Sequence, residues 1–213
     1  MAMARPSRNV DQRLLEAGLA LLPDTGCAGL SVRRLTEHAG VNLGMFHYHF
    51  KNKDTFVRAV LQHTYEAMFA ALALRVDPKR PPLENLRRAL TVLARFGRQH
   101  RRLLVRIAAD AMAGEALAAD FLRANLPRHV AVLLPLVRQL QRDGVLVRLP
   151  PPQVIAFLAG SVGAPVLFGT AMQSEGGDAQ IAAMIDRHVL TDAAIAKRID
   201  LAMRGLAARQ GAL

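Results

Sequence analysis

Apolar residues recur along this chain at the three- and four-residue steps of helices, and the alternating runs that mark strands are absent. Leu14, Leu15, Gly18, Leu19 and Leu22 share one helical face, with Pro23 expected to end the element, so a first helix is predicted over 10–22. After a turn over 24–29, Ser31 is placed to cap a short helix with Val32, Leu35 and Ala39 on one side, and Gly40 closes it. Asn42 caps a third helix running to Tyr48 or His49. Asn52 caps a fourth, whose Phe56, Val57, Val60, Leu61, Thr64 and Met68 keep the spacing to about Ala73. Two short helices joined by a tight turn at Gly40 and Val41 have the form of a helix-turn-helix.

Pro78, Pro81 and Pro82 break the pattern over 77–82, and this break is expected to separate the N-terminal unit from the rest. Beyond it, helices are predicted near 83–98, 100–113, 116–143, 152–173 and 191–209, with another within 178–190. Pro127 and Pro135 should start or kink the third of these. The expected fold class is all-α. It comprises an N-terminal three-helix helix-turn-helix domain over 8–55 and a C-terminal helical domain over 56–213.

The stretch 154–172 contains no charged residue and meets the ~20-residue criterion for a membrane span. Gly160, Ser161, Gly163, Pro165, Gly169 and Thr170 dilute it and no second such run exists, so it reads as a helix covered by protein, with no membrane partner. Composition adds a preference for polyanions: 28 Lys and Arg against 17 Asp and Glu give a net charge of +11. That suits nucleic acid or an acidic membrane surface without choosing between them. The single cysteine, Cys27, excludes an internal disulfide framework and a zinc quartet, suits a reducing cytoplasm and reads as a small buried apolar residue. Arg5 and Arg8 are not followed by an apolar core, so a secretory leader is not expected and the predicted location is cytoplasmic.

Catalytic and metal-binding arrangements find no support. His47 and His49, two residues apart, point to nearly opposite sides of a helix, and His38, His63, His100, His129 and His188 form no tight ligand spacing. Paired carboxylates, a Ser-His-Asp arrangement and a phosphate-cradling glycine loop are not visible. No catalytic residue, metal or cofactor is expected.

Residues 13–57 resemble the DNA-binding domain of the tetracycline-repressor (TetR) family of bacterial regulators. The likeness is carried by Leu15, Ala17, Gly26, Ser31, Val32, Leu35, Ala39, Gly40, Val41, Gly44, Phe46, Phe50, Lys53 and Phe56 at their joint spacing. The resemblance implies that the second helix of the motif lies in the major groove, so Asn42, Leu43, Gly44 and Met45 meet base edges. Leu43 and Met45 offer apolar contact to thymine methyls, Asn42 bonds a base only if free from capping, and Gly44 permits close approach. Phosphates would be held by amides near Ser31 and Val32, by Arg33 and Arg34, and by Lys53. Where relatives carry a phosphate-touching tyrosine this chain has His47, followed by Tyr48; either side chain can serve.

In the family the C-terminal half holds a ligand cavity and a two-fold dimer interface. Candidate cavity residues are Met68, Phe69, Leu72, Phe96, His100, Met112, Phe121 and Phe168. If one or two of the arginines among Arg87, Arg88, Arg95, Arg98, Arg101, Arg102 and Arg106 turn inward, they favour an anionic ligand. The uncharged helix, with Gly160 and Gly163 allowing close backbone approach, is expected to pair with the last helix, through Ile195, Ile199, Met203 and Leu206, against a two-fold copy. The implied function is that of a sequence-specific transcriptional regulator, more often a repressor, acting as a homodimer on a near-palindromic double-stranded DNA operator and answering to a small-molecule effector. The alternatives are an effector-free DNA-organising protein of the same fold and a basic membrane-associated protein with one span.

Overall fold

A computed structural model describes residues 7–173 and 178–208, and every described element but one isolated bridge is helical. The helices are α1 (Ser7–Gly29), α2 (Val32–Ala39), α3 (Leu43–Phe50), α4 (Lys53–Arg75), α5 (Pro82–Gln99), α6 (Arg101–Met112), α7 (Ala116–Arg142), α8 (Pro151–Leu158), α9 (Ala164–Ala171), α10 (Ala179–His188) and α11 (Asp192–Gly205), with a π turn, Ala159–Gly163, between α8 and α9. Two compact units result: Met1–Ala67 with Leu103–Ala124, and Met68–Arg102 with Asn125–Leu213. The proline-rich stretch 77–82, expected to part the N-terminal unit from the rest, instead turns α4 into α5 inside the second unit. There Asn85, buried, exchanges hydrogen bonds with the backbone of Asp77 at 2.7 and 3.0 Å.

In the first unit, Leu14, Ala17, Leu21 and Leu22 of α1 pack with Leu35, Phe46, Phe56, Val57 and Val60, and with Leu103, Ile107, Leu117 and Ala118. Phe56 lies edge-on to Phe46 and Phe50, with ring centroids 5.5 and 4.9 Å apart. Gly18 makes the approach of α4 to α1 possible, since a Cβ there would stand 2.7 Å from the Phe56 ring and 2.8 Å from Val60.

Helix α1 passes through Pro23, where it was expected to stop, and breaks its φ/ψ pattern only at Gly26, with φ 65° and ψ −176°. The proline costs one backbone hydrogen bond, and Thr25 Oγ1 donates to the Leu21 carbonyl one turn earlier at 3.1 Å. Only glycine fits at position 26, because its φ is left-handed and a Cβ would come within 2.4 Å of Arg106 and 2.7 Å of the Asp110 carboxylate. Likewise α7 runs unbroken across Pro127 and Pro135, both on its exposed side.

In the second unit α5 packs against α11, the π turn and α9. The chain after α7 is held by a bridge between Leu146 and Ala207, with Val147 N–H donating to the Leu206 carbonyl at 2.9 Å. The π turn has a local cause: Pro165 offers no N–H to the Ser161 carbonyl and its ring crowds it, so the helix widens and Ala164 N–H bonds back five residues to Ala159. The run Pro151–Ala171 is long and apolar enough to cross a membrane, yet only 33% of its apolar window is buried, so within one chain it is not enclosed on all sides as expected. Ala156, Phe157, Ala159, Gly160, Ala164 and Phe168 are exposed.

Candidate nucleic-acid interface

Local chemistry sets the ends of the two short helices. Ser31 Oγ accepts the Arg34 N–H at 3.4 Å, and Asn42 Oδ1 accepts the Met45 N–H at 2.8 Å. Between them Gly40 takes the left-handed conformation, φ 61° and ψ 39°, and donates its N–H to the Glu37 carbonyl at 3.1 Å. A long-range contact then locks this turn: Arg13 of α1 donates to the carbonyls of Ala39 and Gly40 at 2.6 and 2.8 Å. Arg13 escaped the sequence reading because its role depends on what lies across from α1, and no spacing along one helix reports that.

α3 divides cleanly between inside and outside. Phe46 is fully buried, whereas Leu43 is 51% and Tyr48 78% exposed, with Asn42, Gly44 and His47 also exposed and Met45 half-buried. Of the first-turn residues expected to meet bases, Asn42, Leu43 and Gly44 are thus uncovered and Met45 is partly covered. Asn42 is committed as a cap through its oxygen, which leaves its amide N–H groups as the available donors. His47 Nδ1 lies 3.2 Å from the Lys51 carbonyl, so a proton on that nitrogen leaves Nε2 for another partner. His49, by contrast, turns inward and pairs with Asp11.

Ser31, Arg33 and Arg34 are exposed and Val32 is half-buried; Arg33 spends part of its charge on Glu37 at 3.0 Å. Lys53, at the start of α4, donates through Nζ to the Ala28 carbonyl at 2.8 Å, tying α4 to the end of α1 and leaving two further ammonium N–H groups. Lys51, not anticipated, adds an exposed cation in the same stretch with a left-handed φ of 54°.

Behind the motif, the Cys27 amide donates to Asp110 Oδ2 at 2.8 Å while Arg106 holds Oδ1 at 2.9 Å. Burial, followed by the neighbouring Asp110 charge, pushes the Cys27 thiol up to about 12, so it stays protonated and unreactive.

The candidate cavity residues divide between the two units. In the first unit Phe121 packs edge-on to Tyr65 at 6.1 Å, whereas Met112 is 84% exposed. In the second, Met68 and Leu72 are buried in the core, Phe69 carries the Arg128 guanidinium 4.2 Å above its ring, and Phe96 lies 4.6 Å from His100, whose pKa burial lowers. Phe168 is 69% exposed. The exposure of Met112 and Phe168 removes both from any cavity enclosed by their own units. Among the candidate interface residues, Ile195, Ile199, Met203 and Leu206 are only 1–4% exposed and already belong to the core of the second unit, so they are not a surface that a second copy could cover. Gly160 is exposed and Gly163 half-buried, and a Cβ on either would meet nothing within 4 Å.

Two short capped helices in this arrangement, one with a bared first turn, define a helix-turn-helix module. Residues 14–60 match the model of the bacterial regulatory proteins of the tetR family. The chain is 31% identical over 88 residues to the HTH-type transcriptional repressor KstR2 of Mycolicibacterium smegmatis, covering 40% of this chain and 43% of that protein. It is also 31% identical over 64 residues to the HTH-type transcriptional regulator BetI 2 of Chromohalobacter salexigens, covering 30% and 31%. The matched stretches thus span less than half of these curated relatives. The ketosteroid transcriptional regulator KstR2 of Mycobacterium tuberculosis superposes with a TM-score of 0.69 at 19% identity, over 97% of this chain and 98% of that one. Residues 14–60 are therefore similar to the bacterial regulatory proteins of the tetR family, and the chain as a whole shares the fold of that solved structure.

Proposed function

We propose that this protein is a sequence-specific transcriptional regulator, a repressor, that binds double-stranded DNA as a homodimer and releases it when a small molecule fills the C-terminal domain. On this reading 8–55 recognises DNA and 56–213 senses and dimerises. The observation that carries it is the two-sided α3: Phe46 is anchored in an aromatic core while Asn42, Leu43, Gly44, His47 and Tyr48 stand uncovered. A helix fixed from behind and bare in front suits insertion into the major groove. Ser31, Val32, Arg33, Arg34 and Lys53 are the proposed phosphate contacts, and the net charge of +11 supports a polyanionic partner. The cytoplasm is the compartment this role requires.

The dimer surface is proposed on the exposed side of the α8–α9 run, around Phe157, Gly160, Gly163 and Phe168. Large apolar side chains there, 44% and 69% exposed at the two phenylalanines, are costly to leave in water. The effector is proposed to bind among Met68, Phe69, Leu72, Phe96 and His100 of the second unit. The test is selection of bound duplexes from a random pool. Enriched sites should be near-palindromes with half-sites roughly 34–36 Å apart; enrichment of unrelated sequences, or none, would overturn the reading.

A further inference from the structure

The end of α5, the start of α6 and the first turn of α11 border an open recess of about 610 Å³ lined by Arg95, Arg98, Gln99, Arg101 and Asp192. Three guanidiniums face one carboxylate. Asp192 takes Arg95 at 3.0 Å and Arg98 at 3.2 Å, and these arginines hold its carboxyl below the usual range. Arg98 also donates to the Leu190 carbonyl at 3.0 Å, and Arg101 to the Arg98 carbonyl at 3.4 Å. Arg101 Nε is shut off from solvent with no hydrogen-bond partner among the described residues. Further along α11, outside the lining of the recess, Arg198 donates to the Val189 carbonyl at 2.8 Å, while its Nε and second terminal nitrogen are buried with no partner among the described residues.

Such an arrangement is costly unless something answers it. A buried donor without an acceptor forfeits its hydration and gains nothing in return. Asp192 balances one of the three lining arginines, and the other two charges have no further carboxylate partner among the described residues. A monocarboxylate would answer one of them; a phosphate group, carrying about −1.5 to −2 charges and several acceptor oxygens, answers both. The recess falls within the ~300–1,000 Å³ range of small-molecule sites, and Gln99 supplies a neutral amide at its edge.

We propose that this recess binds a small phosphate-bearing molecule, with Arg98 and Arg101 gripping the phosphate and Arg95, through Asp192, holding Arg98 in position. The site is distinct from the DNA-facing helix, and its test reads binding alone, so it succeeds or fails independently of operator recognition.

The probe is inorganic phosphate, added to the full-length protein against chloride at equal ionic strength. Arginine modification by phenylglyoxal, mapped by mass spectrometry, should slow severalfold at Arg98 and Arg101 and stay unchanged at the exposed Arg75 and Arg187. Calorimetric titration should show Arg101→Gln weakening phosphate binding about tenfold, with Arg101→Lys intermediate because it keeps the charge and loses the fork. Protection by phosphate needs no variant, so it remains decisive if a substitution unfolds the chain. Equal protection at all four arginines, equal protection by chloride, binding of acetate as tight as that of phosphate, or stronger protection of the same arginines by random-sequence duplex DNA would each overturn the assignment.

Discussion

The carboxylate of Asp110, on α6, accepts the backbone amide of Cys27 at 2.8 Å, at the point where α1 breaks just before the helix-turn-helix. Arg106 completes the clamp, holding the other Asp110 oxygen at 2.9 Å and reaching the Thr25 carbonyl at 3.4 Å. A charged acceptor buried against a backbone donor is worth about 2 kcal/mol, so Asp110→Ala should lower the free energy of unfolding by about that amount. Because Arg106 acts largely through Asp110, Arg106→Ala should cost little more in the Asp110→Ala background. Urea unfolding of the four proteins checks this, and fully additive costs would mean the two residues act separately.

The thiol of Cys27 provides a pH signature. Its pKa rises on folding from 9.0 to about 12. Below pH 9.0 both folded and unfolded thiols hold their protons and stability is unaffected. Above it the unfolded chain releases a proton that the folded chain retains, so stability falls as pH climbs toward about 12. Cys27→Ala should flatten that part of the decline in urea midpoints measured on either side of pH 9.0. A parent and variant with parallel pH profiles would contradict a buried, protonated thiol.

Gly40 carries both a backbone and a packing requirement. An alanine there would adopt φ 61°, and its Cβ would stand 2.7 Å from the Arg13 guanidinium. Gly40→Ala should therefore destabilise by more than the ~1 kcal/mol that a left-handed conformation costs by itself. In an Arg13→Ala background the penalty should shrink to that backbone value. Thermal melts of the double-mutant set provide the measurement, and an unchanged penalty would mean that Arg13 does not crowd the turn.

Lys53 is half-buried and donates to Ala28, yet two of its ammonium N–H groups remain for a phosphate. Lys53→Ala should weaken binding to operator and to random duplex by the same factor and reduce the salt slope by about one. Gel-shift titrations across a salt series test this, alongside a melt to separate the loss of the Ala28 contact from the loss of DNA affinity. A change in sequence preference would instead make Lys53 a base-reading residue.

Gly163 gives a clean probe of the proposed dimer, since nothing lies within 4 Å of a Cβ placed there. Gly163→Arg should fold normally within one chain but bring bulk and an unpaired charge into a two-fold interface, leaving a monomer with much weaker operator binding. Sedimentation of parent and variant, read beside circular dichroism, decides the matter. A folded variant that still dimerises would place the interface elsewhere.

Local order was legible in the sequence. The caps at Ser31, Asn42 and Asn52, the left-handed Gly40 and the apolar steps of α2 and α4 act over three or four residues, so their signals survive in one dimension. The helix-turn-helix follows from them. Only tertiary structure decided which apolar faces are covered and by what. Ile195, Ile199, Met203 and Leu206 show the same spacing whether they meet a second copy or their own core; α5 and its neighbours cover them within the chain, while Phe168 and Met112 are left outside. Gly26 belonged to the family-like pattern, but its necessity comes from Arg106 and Asp110, some eighty residues further along the chain. Helical periodicity states that a face must be buried. The partner that buries it is chosen by the packing of distant segments, and the spacing of residues along a single helix holds no information about that choice.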